Sequence, residues 1–292
     1  MLFLIGSIIL SSWLVLSFKI LERFNIPLLQ AIVVNYWVCV ITGSIFNGAS
    51  PFTSSLIHES WIGWALIMGA TFIALFNLIG FTTQQMGVSV VSVANKLSLV
   101  IPFLFSLYLY NEKATALKIL GVVVALGAVA LTCWPSGNTE PSGKKFTRGL
   151  ILLPVVIFAG SGLLDTMIKY VETTHLNESN KNNYLISAFA VAAIIGLILM
   201  GYQLLVKKQK FDKRAIWGGI MIGVPNYFSI WCLVMVLKEY AANSSMIIPV
   251  NNMGIVLFST LIAWLVFREH LSKTNWLGII LSLGAIALIA YG

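Results

Sequence analysis

Ten apolar blocks, each close to 20 residues long, occupy almost the whole chain. An α-helix needs about 20 apolar residues to cross the roughly 30 Å hydrocarbon core of a bilayer. The blocks lack the period-two alternation of barrel strands, and a helix satisfies its own backbone hydrogen bonds within lipid. We therefore predict an all-α integral membrane protein with ten transmembrane helices. The predicted spans are 2–20, 28–47, 60–81, 88–110, 115–134, 149–170, 183–206, 215–237, 243–267 and 274–291.

The composition excludes an ordinary soluble domain. Of 292 residues, 59% are hydrophobic and 10% are charged, against about 25% charged in soluble proteins. The first block begins at Leu2 with no basic segment before it, which indicates a retained span and not a signal peptide. The histidines fall near predicted loops without metal-ligand spacing, and the cysteines are isolated within spans. We therefore expect no enzymatic activity, no metal and no cofactor.

The two halves of the chain repeat each other. The segment that starts at Asn95 overlays the segment that starts at Asn252 without a gap, so Glu112 corresponds to Glu269 at the same offset of 157 residues. A weaker match relates the first block to the sixth. The polar stretch 135–148 separates the halves, which predicts a first five-helix repeat over 1–134, a linker over 135–148 and a second five-helix repeat over 149–292.

An odd number of spans in each half reverses the direction in which the second half enters the membrane. Two inverted five-helix repeats around a central cavity are the arrangement from which secondary transporters build two alternating access states. Transport is therefore the leading functional hypothesis.

Each half ends in a helix, a short acidic turn and a glycine-rich closing helix. The turns are "YNEKAT" at 110–115 and "FREHLS" at 267–272. In these features the chain resembles the drug/metabolite transporter superfamily, specifically its ten-helix EamA-type members. The resemblance implies transport of a metabolite or drug, because members move amino acids, nucleotide sugars, phosphorylated metabolites or drugs.

Lys96 is a charged residue inside the fourth predicted span. It lies about 12 Å along a helix that rises 1.5 Å per residue. A cation at this depth is costly unless it faces a partner or a wet cavity, so a role in binding an anionic substrate group is the favoured interpretation. The alternative is that Lys96 snorkels to the membrane surface or forms a structural pair. The dipeptide Asn95-Lys96 also resembles the asparagine-lysine pair of nucleotide-sugar members of the superfamily.

Asp165 is the second such residue, in the sixth predicted span. Small multidrug-resistance relatives carry a proton-coupling carboxylate in the matching first helix, so the resemblance implies that Asp165 couples transport to protons. The alternative is an i, i+4 ion pair with Lys169. If Lys96 and Asp165 both face the cavity, they could pair when it is empty, and substrate or proton would compete for that pair.

Polar and aromatic residues at mid-membrane depth form the remaining candidate lining, because amides and aromatic rings can bind zwitterionic or hydroxylated solutes. For each one, the alternative is a hydrogen bond or contact between helices. They are Asn35, Tyr36, Trp37, Asn77, Asn95, Asn226, Tyr227, Trp231, Asn251 and Asn252.

Basic residues are distributed unevenly between the two sides of the predicted bundle. Five lie on the side of the N-terminus and twelve on the opposite side, which by the positive-inside rule places both termini outside. The family resemblance implies the reverse. The cluster at 207–214 indicates a headgroup anchor, and no nucleic-acid partner is expected. We expect a multi-pass protein of the cell membrane, in a bacterium the inner membrane, as a monomer or weak homodimer.

The favoured function is a secondary transporter, an exporter or exchanger, of a small polar or anionic metabolite such as an amino acid. A first alternative is proton-coupled efflux of drugs or cations through Asp165. A membrane-embedded enzyme would show clusters of acids, bases or metal ligands at one membrane face, and a passive channel would show a ring of charges. The sequence contains neither pattern.

Overall fold

The computed structural model describes residues 1–48, 56, 58–109, 115–132, 148–177, 179–239 and 244–291. These residues form eleven α-helices and one short 3-10 helix, Arg148–Ile151, and no strand occurs among them. The helices are α1 (Leu2–Arg23), α2 (Leu28–Asn47), α3 (Ile62–Met86), α4 (Val88–Leu97), α5 (Val100–Leu109), α6 (Ala116–Thr132), α7 (Leu152–His175), α8 (Lys181–Leu205), α9 (Arg214–Glu239), α10 (Ser244–Val266) and α11 (Lys273–Tyr291).

The ten predicted spans are confirmed as apolar helices. Seven are long and apolar enough to cross a membrane, with the fourth running over Val88–Phe105, and three are shorter: Ala116–Thr132, Val250–Val266 and Lys273–Ile289. The backbone also marks the ends of the first two helices. Asn25 and Gly48 adopt positive φ angles of 51° and 68° just after α1 and α2, a conformation that ends helices.

The fourth span is not one uninterrupted helix, as its prediction over 88–110 implied. It divides at Ser98 and Leu99 into α4 and α5. Pro102 has no amide hydrogen to donate to the Ser98 carbonyl, and its ring opposes that carbonyl. The Ser98 oxygen instead accepts a hydrogen bond from the Ile101 amide at 2.9 Å. Prolines within spans do not always have this effect, because α9 remains one helix around Pro225.

Successive spans cross the bundle in alternating directions. We call the end that carries the connections 24–27, 206–213 and 267–272 the basic face, and the end that carries Met1 the terminal face. On the basic face, Arg214 donates to the Phe24 carbonyl at 3.1 Å. On the terminal face, the Met1 amine lies 3.7 Å from the Glu239 carboxylate. Alternate threading of the spans brings each of these pairs of helix ends to the same face of the bundle. Because the first set has five spans, the second set begins on the opposite face from the first and runs in the reverse direction.

The contacts between helices also relate the two sets of five spans by a pseudo-two-fold symmetry. α6 packs on α11, α2 on α8 and α4 on α10, and these pairs map onto themselves when the sets are exchanged. The other large pairs occur as counterparts: α1–α9 with α3–α7, α2–α9 with α3–α8, and α1–α10 with α4–α7. This arrangement agrees with two inverted five-helix repeats. The exact division at 134 and 149 stays a prediction, because residues 133–147 lie outside the described part.

The two largest apolar clusters among the described residues form most of the core. The first joins α1, α2, α3 and α8 around Phe18, Tyr36 and Phe189, and the second joins α4, α6, α10 and α11. Two glycines of the eighth span, Gly219 and Gly223, allow α9 to approach α2 closely. A Cβ on Gly219 would lie 2.3 Å from Val34, and one on Gly223 would lie 2.6 Å from Val38.

Candidate functional site

The interruption of the fourth span brings α4, α5 and α7 together inside the bundle. Gly162 of α7 packs directly on it, since an added Cβ would lie 2.8 Å from the Ser98 carbonyl oxygen and 2.5 Å from the Ile101 side chain. Lys96 is the penultimate residue of α4, and Asp165 lies about one turn beyond Gly162 on α7. The glycine therefore lets α7 approach α4 closely at the level of these two ionisable residues.

Lys96 and Asp165 act electrostatically on each other. Within the described part of the chain, neither residue makes a direct ion pair or a hydrogen bond, so their charges are near but not in contact. Asp165 is exposed and Lys96 is half-buried. The charge that acts on Asp165 thus comes from α4, from the opposite half of the chain.

Asn35 and Asn226 hydrogen-bond to each other between α2 and α9. The Asn226 amide donates to Asn35 Oδ1 at 3.2 Å, and the Cys39 thiol donates to the same oxygen at 3.7 Å. Both asparagines are buried. Asn35 Nδ2 has no hydrogen-bond partner among the described residues. This pair holds two helices together, and its predicted role in binding stays a prediction.

Tyr36 and Asn77 also bond to the backbone of α3. The Tyr36 hydroxyl donates to the Phe72 carbonyl at 2.9 Å, which joins α2 to α3. Asn77 Nδ2 donates to the Ile73 carbonyl of its own helix at 2.8 Å. Tyr36 is fully enclosed, whereas Asn77 is half-buried. Of the two, Asn77 is therefore the more accessible to a solute.

Three other predicted amides have unsatisfied side chains. Asn95 and Asn252 are half-buried, and their side-chain amides make no hydrogen bond within the described part of the chain. Asn251 is buried, and its Oδ1 atom has no partner among the same residues. Unsatisfied polar groups inside a membrane protein are costly unless water or a ligand meets them. These amides are thus available to a polar solute.

The aromatic candidates on α9 form a row toward the terminal face. Trp231 packs edge-on against Phe3 with ring centroids 5.5 Å apart, and Tyr227 packs against Phe46 at 6.0 Å. Both are half-buried. Trp37, on α2, is 37% exposed. The row lines the junction of α1, α2 and α9.

Sequence reasoning missed a polar contact at the start of α4. The Glu269 carboxylate accepts hydrogen bonds from the Val88 amide at 2.6 Å, the Ser89 amide at 3.3 Å and the Ser89 hydroxyl at 3.1 Å. Burial raises the pKa of Glu269, although the bonds from Val88 and Ser89 and the charge of Lys19 oppose the rise. The repeat had marked Glu269 as the counterpart of Glu112, but no sequence pattern indicates that its carboxylate caps a helix 180 positions away.

The described part of the chain shows no set of side chains arranged as metal ligands. In the ranges that the structure describes, no group of three or more His, Cys, Asp or Glu residues is placed to hold a metal ion. Cys39 and Cys232 are free thiols buried in the packing. Cys133 lies outside the described residues.

An all-helical bundle of ten apolar spans, threaded as two oppositely directed sets of five, is the architecture of a multi-pass membrane protein. The model of the EamA-like transporter family matches residues 149–291. Residues 149–291 are thus similar to the EamA-like transporter family, and over this part of the chain the resemblance seen in the sequence is confirmed.

Two further comparisons extend over nearly the whole chain. An uncharacterized protein of Haemophilus influenzae is 29% identical over 294 residues, which cover 99% of this chain and 97% of that protein. A solved crystal structure of a protein with 12% identity shares the fold, with a TM-score of 0.63 over 98% of this chain and 94% of that one.

Proposed function

We propose that the protein is a secondary transporter of a small polar or anionic metabolite, such as an amino acid, and that it works by alternating access as an exporter or exchanger. The observation that carries this proposal is the placement of Lys96 and Asp165, which interact electrostatically inside the bundle without forming a direct ion pair. Ionisable residues at membrane depth are rare and generally mark the pathway of a substrate or ion.

The separation of the two charges suits a solute that carries charge of its own. In the empty site, the ammonium of Lys96 and the carboxylate of Asp165 partly neutralise each other. A substrate carboxylate binds Lys96, and the amino group of a zwitterion binds Asp165. Charge-assisted hydrogen bonds of this kind are shorter and stronger than neutral ones, so a zwitterion compensates both residues at once.

The unsatisfied amides support recognition of a polar solute. Asn95 precedes Lys96 on α4, and Asn252 occupies the equivalent position in the second half. Each amide offers donors and acceptors to hydroxyl, carboxylate or amino groups. Because the repeats are inverted, two such amides present related groups to the solute in the two access states.

A second candidate function is proton-coupled efflux of cations through Asp165. It is favoured by the exposure of Asp165, which exceeds that of Lys96. In that mechanism the carboxylate releases a proton when a cation binds, and Lys96 tunes its charge. We place either activity in the cell membrane, which in a bacterium is the inner membrane.

Counterflow in proteoliposomes tests both candidates. Vesicles are loaded in turn with unlabelled amino acids, phosphorylated sugars and cationic dyes, and uptake of the labelled solute is followed. We expect exchange of a zwitterionic or anionic solute, lost in Lys96→Ala and strongly reduced in Asp165→Asn. Exchange confined to cationic dyes and retained in Lys96→Ala supports the second candidate instead.

Lys213→Ala is the control, because Lys213 is an exposed lysine just before α9, outside the spans. It should exchange solute at the rate of the parent protein. Unchanged exchange in both Lys96→Ala and Asp165→Asn would remove these residues from the proposed site.

A further inference from the structure

The connection between α10 and α11 holds the first turn of α4. The three hydrogen bonds from Val88 and Ser89 to the Glu269 carboxylate join a loop of the second half to a helix of the first. The free amides of a helix N-terminus carry partial positive charge, so a carboxylate there is stabilised by both hydrogen bonding and the helix dipole. Glu269 therefore fastens α4 to the basic face.

Gly87 leaves room for this contact. Its φ angle is +96°, and a Cβ at this position would lie 2.9 Å from Glu269 Oε1 and 3.0 Å from the carboxyl carbon. Both the backbone conformation and the contact distance exclude a larger residue. The turn between α3 and α4 is thus shaped around the carboxylate.

The helix held in this way carries the candidate substrate-binding residues. α4 has ten residues, from Val88 to Leu97, with Asn95 and Lys96 at its far end. The interruption at Ser98 separates it from α5, so the helix can tilt as a short rigid unit. A displacement of its first turn at the basic face necessarily moves Lys96 relative to Asp165 on α7.

We propose that Glu269 is a clamp at the basic face of the transport pathway. Docked on Val88 and Ser89, its carboxylate keeps α3 and α4 against α10 and α11 and closes that face. Its release lets these helices separate and opens the face. The clamp rests on the proposed function, since only alternating access requires that this contact break and form again in each cycle.

Distances between spin labels at the basic face test the clamp without a substrate. Labels at Gln85→Cys, at the end of α3, and Lys273→Cys, at the start of α11, are measured in nanodiscs after the three native cysteines are replaced. Gln85 is half-exposed and Lys273 is exposed. We expect one short distance in the parent protein and a second, longer distance in Glu269→Ala, with the open population raised about tenfold.

Three further variants separate a clamp from a merely structural contact. Glu269→Gln keeps the shape of the side chain and should open the face less than Glu269→Ala. Gly87→Ala displaces the carboxylate and should give the same longer distance, with little added effect in the Glu269→Ala background. Asp212→Asn is the matched control, because Asp212 is paired with Arg214 on the same face at 2.7 Å and should leave the distances unchanged.

Exchange kinetics provide the second readout. In Glu269→Ala we expect the maximal exchange rate to fall severalfold while the KM stays within about twofold, because the variant alters the access equilibrium and leaves the binding groups intact. Unchanged label distances in both Glu269→Ala and Gly87→Ala, in protein with the parent melting temperature, would overturn the clamp even if Lys96→Ala abolishes exchange. Shifted distances with normal exchange in Lys96→Ala would instead keep the clamp and overturn the proposed site.

Discussion

The hydroxyl groups of Ser92 and Ser259 are hydrogen-bonded at 2.9 Å in the buried contact between α4 and α10. These helices are the fourth and ninth spans, which correspond to each other in the two halves. The bond therefore joins corresponding helices of the two halves. It joins the helix that carries Asn95 and Lys96 to the helix that carries Asn251 and Asn252.

Removal of this bond should have a small effect on stability. Hydrogen bonds between membrane helices contribute about 0.6 kcal/mol on average, so Ser92→Ala and Ser259→Ala should each lower the free energy of unfolding slightly. The double variant should cost less than the sum of the two. Unfolding in mixed micelles, analysed as a double-mutant cycle, measures this coupling, and strict additivity would show that the bond contributes nothing.

Neutralising both Lys96 and Asp165 should be tolerated better than neutralising one of them. Lys96→Ala leaves Asp165 without an opposite charge nearby, and Asp165→Asn likewise leaves Lys96 without one. We expect each single variant to lose thermal stability and the double variant to recover part of it, with a coupling energy of about 1 kcal/mol. Melting temperatures in detergent measure the effect. A double variant as unstable as the sum of both losses would contradict the electrostatic pairing.

Two asparagines of the second half should respond differently to removal. Asn226→Ala breaks the buried bond to Asn35 and should cost about 1–3 kcal/mol of stability. Asn252→Ala removes an unsatisfied amide and should leave stability unchanged. Its effect should appear as a raised KM for exchange. Paired measurements of melting temperature and KM distinguish the two, and a raised KM with normal stability in Asn226→Ala would assign that residue to binding.

Close packing between α2 and α9 should make Gly223 sensitive to a single methyl group. Gly223→Ala places a Cβ 2.6 Å from Val38 and 2.8 Å from the Asn35 carbonyl oxygen, and overpacking of this kind costs about 1–3 kcal/mol. Gly63→Ala is the control, because nothing lies within 4 Å of an added Cβ there. Gly63→Ala should be neutral or slightly stabilising. Equal melting temperatures for the two variants would argue against tight packing of α2 on α9.

Acidic pH should release the clamp at Glu269. Burial raises the pKa of Glu269 above the ordinary glutamate range, opposed by the bonds from α4 and by the charge of Lys19. Lys19 itself pairs with Glu22 at 2.9 Å. As pH falls through the raised pKa, the carboxylate becomes neutral and its hydrogen bonds to the α4 amides weaken. The longer label distance should grow in the parent protein and should not respond to pH in Glu269→Gln.

Protonation of Glu269 should weaken the clamp contact but increase the free energy of unfolding. A carboxyl group whose pKa is higher in the folded chain binds its proton more tightly there than in the unfolded chain. Its contribution therefore favours folding at low pH and is lost as pH rises from the unfolded pKa through the raised one. Unfolding measured across this range, with Glu269→Gln as reference, should show that direction. If the parent protein opens at low pH and also becomes more stable there, the opening is a change in the access equilibrium and not partial unfolding.

The ten spans were predictable because the length and apolar character of a membrane helix are local properties of the chain. The repeat of Asn95 by Asn252 added the inverted arrangement, since an odd number of crossings fixes the direction of the second set. The interruption at Ser98 was only partly foreseen. A proline such as Pro102 can kink a helix, but whether it bends or divides the helix depends on the neighbours that satisfy the freed carbonyl, as the continuous helix around Pro225 shows.

The candidate site was less predictable from residue type alone. Asn35, Asn226 and Asn252 look alike in the sequence, yet two of them bond to each other and one does not. An amide at membrane depth can join helices or meet a solute, and only its distance from another polar group decides between these roles. Glu269 was visible as a repeated acid without any indication of its partner.

The sequence by itself determined the class of protein, the number of spans and their opposed threading, because these depend on hydrophobic length and on counting. Only the tertiary structure decided which charges meet. Lys96 lies within electrostatic reach of Asp165, and Glu269 caps α4, across separations of many tens of residues. Such pairings depend on how closely the helices approach. In this chain, Gly162 and Gly87 permit those approaches at points that periodicity does not reveal.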